Sequence, residues 1–159
     1  MALVDNVTGI VDRLRERGIA VYRIAIGVLF LTHGAATLFG VFGGAKSNPG
    51  HAADFASWPD WWAGLIQFAG GILIALGIGT RTAAFVSSGA MAYAYFAVHQ
   101  PKALLPLQNG GTGAAVFTWA LLVLVFTGPG AWALSAARGR ARTTEQSPLG
   151  QPQPHTGAG

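Results

Sequence analysis

Polar and apolar positions alternate along this chain on the scale of whole helices rather than of single residues. Four long apolar runs, at about 19–42, 61–78, 82–98 and 110–126, follow one another with short polar breaks. Arg23 is the only Lys or Arg inside any of them. A helix needs about 20 mostly apolar residues to cross the hydrocarbon core of a bilayer, and the runs approach that length. Barrel strands would instead be about 10 residues long and alternating. The pattern predicts an all-α fold: a polytopic membrane protein with four transmembrane helices in an antiparallel bundle over 19–134. A cytoplasmic segment, 1–18, precedes it, and a disordered cytoplasmic tail, 135–159, rich in Pro, Gln, Gly and Thr, follows it.

The breaks between runs carry their own signals. In the first segment Val4, Val7, Ile10, Val11 and Leu14 recur at helical spacing between Asp12, Arg13, Glu16 and Arg17. That fits either an amphipathic helix lying on the membrane or a lead-in turn to the first span. A cleaved signal peptide is disfavoured, because the first run continues past the usual 7–15-residue core. Loop 43–60 holds glycines, prolines and Trp58, with Trp61 and Trp62 just after it. Such tryptophans fit an aromatic belt at the outer interface; an aromatic ligand clamp is the sharper alternative. The turn at 79–81 is short enough to force a helical hairpin. Gly128-Pro129-Gly130 must stop or bend the last span. Small residues seven apart, Gly27 with Gly34 and Gly70 with Gly77, and Ser88 with Ala92, suit close helix packing.

Composition sharpens the membrane reading. Of 159 residues 52% are hydrophobic and 10% charged, against about 25% charged in ordinary soluble domains. The net charge of +4 does not form a nucleic-acid face. Instead Arg13, Arg15, Arg17, Arg81, Arg138, Arg140 and Arg142 lie at one set of span ends, and Lys46 and Lys102 at the other. Excess Lys and Arg marks the cytoplasmic side, which puts both termini inside. With no cysteine in the chain, thiolate redox chemistry and thiolate metal sites are excluded.

Candidate chemistry is confined to a few polar groups within the spans. Arg23, near the inner end of the first span, is read either as a snorkelling anchor or as a cation for an anionic lipid or a partner's carboxylate. His33 lies about 14 Å from the outer end of its span, and Gln67 about 9 Å from the same side, at 1.5 Å per residue. Thr37 is one turn after His33, and Tyr95 and His99 are one turn apart in the outer half of the third span. Depth counting therefore groups His33, Thr37, Gln67, Tyr95 and His99 as a ligand-binding cluster open to the outside. A helix-bonding role for the same groups is the alternative. Haem is disfavoured, because His33 and His99 differ in depth by about 6 Å. No span contains Asp or Glu, which argues against ion-coupled transport.

Three segments resemble the DoxX family of small four-helix bacterial membrane proteins. Arg23-Ile24-Ala25-Ile26-Gly27, Phe30-Leu31-Thr32-His33-Gly34 and Leu38-Phe39-Gly40 resemble its first helix. Phe68-Ala69-Gly70-Gly71, Leu76-Gly77 and Thr80-Arg81 are similar to its second helix and turn. Asn109-Gly110-Gly111 and Gly128-Pro129-Gly130-Ala131-Trp132 are similar to the ends of its fourth. The resemblance implies an inner-membrane protein associated with quinone-linked or thiol/sulfur-related redox assemblies. Thr37 stands where the family often has Lys, Gln67 where it often has Glu, and Ser135 where it often has Asp. The expected function is an accessory subunit of such an assembly, not a complete enzyme, with lipid and other membrane or periplasmic redox subunits as partners. Quinone is the candidate ligand; His33 and Gln67 would hydrogen-bond its carbonyl. The alternative is a non-catalytic scaffold or a small-solute or lipid-binding protein.

Overall fold

The computed structural model describes residues 2–135, with side chains from Val7 onward; most of the tail expected to be disordered lies outside them. The described residues are all-α apart from a hairpin of two two-residue strands. The elements are α1 (Ala2–Phe39), β1 (Gly44–Ala45), β2 (Asn48–Pro49), α2 (Asp60–Leu76), α3 (Thr80–Tyr93), a π-helical turn (Ala94–His99), α4 (Pro106–Asn109) and α5 (Thr112–Thr127). Each expected apolar run is thus helical. Val7–Phe39 is long and apolar enough to cross a membrane, whereas α2 and α5, with 17 and 16 residues, are apolar but shorter.

The first helix is longer than its apolar run. It begins at Ala2 and passes through Gly18 without a break, so residues 2–18 are the first turns of the same rod rather than a separate element. At 1.5 Å per residue its 38 residues extend about 57 Å. Val7, Ile10, Val11 and Leu14 form an exposed stripe on the part beyond the bundle.

Successive long helices run antiparallel, and α1 packs chiefly on α2 and α3 on α5. The α1–α2 contact is backbone against backbone. A Cβ on Gly27 would lie 2.6 Å from the Ala75 nitrogen, one on Gly71 2.6 Å from the Leu31 nitrogen, and one on Gly34 2.8 Å from the Gly64 oxygen. Gly64 and Gly71 of α2 join Gly34 and Gly27 in this contact, and the expected Gly70 and Gly77 are closely packed as well, Gly70 against Ser87 and Phe30 and Gly77 against Arg23 and Ala133. Gly77, at φ 74°, ends α2 by donating to Ile74, while Ile78 donates to Leu73. This left-handed cap turns the chain straight into α3.

Between α3 and α5 the bond is polar, with the Ser88 hydroxyl donating to the Thr118 carbonyl at 2.9 Å. Tyr22 donates across to Ala120 at 2.9 Å, and Phe30 meets Phe117 with ring centroids 5.2 Å apart, joining α1 to α5. Phe30, Ile74, Ala84, Met91, Leu121 and Leu124 fill the centre.

The two ends of the bundle differ. At one end α5 terminates at Gly128, and the chain folds back so that Ala131 donates to the Glu16 carbonyl and Ser135 Oγ to that of Gly77. Arg81 donates to Val125 there at 2.8 Å, where a cation suits the negative end of the α5 dipole. At the other end the β1–β2 hairpin, α4 and the loops between them close over the helices, and Ala53 donates to the last turn of α1 at Thr37.

Candidate functional site

The five polar residues grouped by depth do not converge. His33 is exposed on α1, its ring edge-on to Phe117 at 5.3 Å, in a shallow hollow with Thr32, Ala36 and Phe42. Thr37 gives its hydroxyl to the His33 carbonyl on its own helix, while its methyl group covers Gly64. Gln67 donates to the Met91 sulfur at 3.6 Å, a weak bond from α2 to α3. Tyr95 donates to the Leu104 carbonyl at 3.1 Å and faces Pro106, Thr118 and Trp119. His99 lines a different hollow, against the start of α2. Among the described residues, the Thr37 bond to the His33 carbonyl is the one hydrogen bond or ring contact joining any two of the five.

The third span ends in a π-helical turn, in which Gln100 donates to Tyr95, five residues back. At its end His99 lines a cavity of about 230 Å³ between the start of α2 and the end of α3.

This cavity is the chemically richest feature of its end of the bundle. Trp58, Trp62 and Tyr93 supply aromatic walls, with Trp58 and Tyr93 5.8 Å apart between centroids. Ile66, Ala90 and Ala94 supply the apolar floor. Asp60, in the first turn of α2, has its carboxylate half-buried there, with no ion pair among the described residues. The position suits a negative charge, because the α2 dipole is positive at that end.

His99 is held in one orientation by the loop that follows it. Its Nδ1 is 3.1 Å from the Asn109 carbonyl. A carbonyl only accepts, so Nδ1 carries the proton and Nε2 is an acceptor in the neutral ring. Asn109 is buried, donates to Ala103 at 2.8 Å and accepts from the Gly111 nitrogen at 2.7 Å, which fixes the loop. Gly111 must lack a side chain, because a Cβ would lie 2.8 Å from that of His99. Depth counting missed Trp58, Asp60, Trp62, Tyr93 and Asn109 as a set. The Asn109-Gly110-Gly111 triplet and the tryptophan cluster were their signals in the sequence.

Arg23 is neither a surface anchor nor open to a lipid. It is 1% exposed, below the segment that folds back from α5. Nη2 donates to the Trp132 carbonyl at 3.3 Å, Nη1 packs on Gly77, and neither Nε nor Nη1 has a hydrogen-bond partner among the described residues. The guanidinium lies at the C-terminal end of α2, where the helix dipole favours a cation. Among the described residues no group of three His, Asp or Glu side chains is placed to hold a metal ion.

Comparison with known proteins gives two matches. The DoxX family model matches residues 18–100. An uncharacterized protein of Haemophilus influenzae is 35% identical over 126 residues, covering 77% of this chain and 92% of that protein. No solved structure matches the chain.

Proposed function

This chain belongs to the DoxX family of membrane proteins, and we propose that it is a multi-pass accessory subunit of a quinone-linked redox assembly. In this reading the quinol headgroup binds in the cavity of His99, Trp58, Trp62 and Tyr93. The observation that carries it is the 3.1 Å contact between His99 Nδ1 and the Asn109 carbonyl, which assigns the proton to Nδ1. An aromatic cavity whose imidazole presents Nε2 as an acceptor suits a flat ring that donates a hydroxyl. Asp60 adds a second acceptor on the same wall. The acceptor role thus belongs to His99 rather than to the exposed His33. A bound quinol supplies two electrons and two protons. This chain's residues bind the ring, orient its hydroxyl and receive a hydrogen bond at Nε2, while the electron acceptor lies on a partner.

Four helices cross the bilayer. The α2 helix, at about 26 Å, and α3 with its π-turn, at about 30 Å, approach the hydrocarbon thickness. The end bearing Arg13, Arg15, Arg17 and Arg81 faces the cytoplasm, which puts the His99 cavity on the outer side.

Titration of the purified protein with a short-chain benzoquinol tests the reading. Binding is expected in the wild type and about tenfold weaker in His99→Ala, the loss of one buried hydrogen bond. His33→Ala should bind like the wild type. Equal binding by wild type and His99→Ala would remove the proposal and leave a lipid-binding scaffold as the better reading.

A further inference from the structure

A second hollow lies directly beneath the His99 cavity. It is a groove of about 480 Å³ along the α2–α3 seam, running from Leu65 and Ile66 to Ile78 and Gly79 at the far turn. Ile66 lines both the groove and the cavity, so the two meet at that side chain. The groove exposes only carbon. Its one polar side chain that is buried, Ser87, turns its hydroxyl against Gly70 and away from the opening. Small residues make the space: Ala69 and Gly70 on one wall, Ala83 on the other.

The dimensions select an occupant. From Ile66 to Ile78 is twelve residues, roughly 18 Å of helix. An all-carbon seam of that length, meeting the cavity at Ile66, suits one extended hydrocarbon chain. The chain would exchange lipid contacts for protein contacts, so the gain comes from dispersion and shape rather than from escape from water.

We infer that cavity and groove form one continuous site for a long-chain amphiphile, its head beside His99 and its hydrocarbon chain along the α2–α3 seam past Ile66. This rests on the reading that the outer cavity takes a quinol head, and adds that the natural ligand is a tailed one. The groove then contributes selectivity for the chain, independent of the ring chemistry above it.

Filling the groove without touching the cavity separates the two ideas. Ala69→Phe places a ring in the seam from an exposed position and should keep the wild-type circular dichroism and melting temperature, whereas Ala83→Phe does so from a half-buried one that packs against the core. Native mass spectrometry and titration would follow two probes, a benzoquinol without a tail and its decyl-chain counterpart. The expected result is decyl-quinol binding weakened about tenfold in both variants, with tail-free binding unchanged. Equal decyl-quinol binding in wild type and variants would overturn the groove inference while the cavity reading stands. If neither quinol binds the wild type, the cavity reading falls. In that case a long-chain lipid retained by the wild type and lost from Ala69→Phe supports the groove alone, and equal retention overturns it.

Discussion

The residues that a depth count brings together are parted by azimuth. Rise along a helix is legible from the sequence, because each residue adds a fixed step. Which way a side chain points relative to three neighbours depends on rotations that packing sets. Thus His33 and Gln67 share a level yet meet Phe117 and Met91 separately. Gln67→Leu removes only a weak bond to sulfur and should shift stability by less than about 1 kcal/mol, measured by denaturant titration in detergent. Arg23 gives a sharper contrast. Its buried cation has two nitrogens without partners among the described residues, and replacing such a charge by an apolar side chain of similar length is often neutral or stabilising. Arg23→Met should therefore melt no lower than the wild type. Arg23→Ala, which leaves a cavity, should cost about 2–4 kcal/mol. Asn109→Ala keeps the main-chain carbonyl that His99 bonds but unpins the loop carrying it, at a cost of about 1–3 kcal/mol through unpaired loop groups; quinol binding should weaken alongside it.

Helix identity was the most legible property of the elements, because runs of apolar residues bounded by Gly and Pro allow little else. Seven-residue spacing of small residues also pointed correctly to Gly27 and Gly34. On α2 Gly70 and Gly77 are closely packed too, but Gly71, beside Gly70, is the glycine that packing sets on the α1 backbone. Gly34→Val should therefore force the α1–α2 seam apart and cost about 1–3 kcal/mol. Gly89 has nothing within 4 Å of a would-be Cβ, so Gly89→Ala should gain about 0.5–1 kcal/mol from helix propensity alone. Thermal melts followed by circular dichroism would read both. The π-turn was not legible, since no residue type demands it.

For the molecule as a whole, the arginine asymmetry yields a prediction about sidedness that the absence of cysteine makes easy to test. In Lys102→Cys, a membrane-impermeant maleimide should label intact spheroplasts, and in Arg13→Cys only lysed ones. The reverse pattern would invert the proposed topology. The pairing of helices also bears on how the protein is made. The α1 and α2 helices lock through bare backbone, and α3 and α5 form a second pair. What separates the pairs on one side is the hollow seam between α2 and α3. A chain-bearing ligand lodged there would act as mortar between two prefabricated halves. Cells starved of that ligand should then accumulate an inserted but loosely joined protein, cut by membrane proteases at the turn that links the halves.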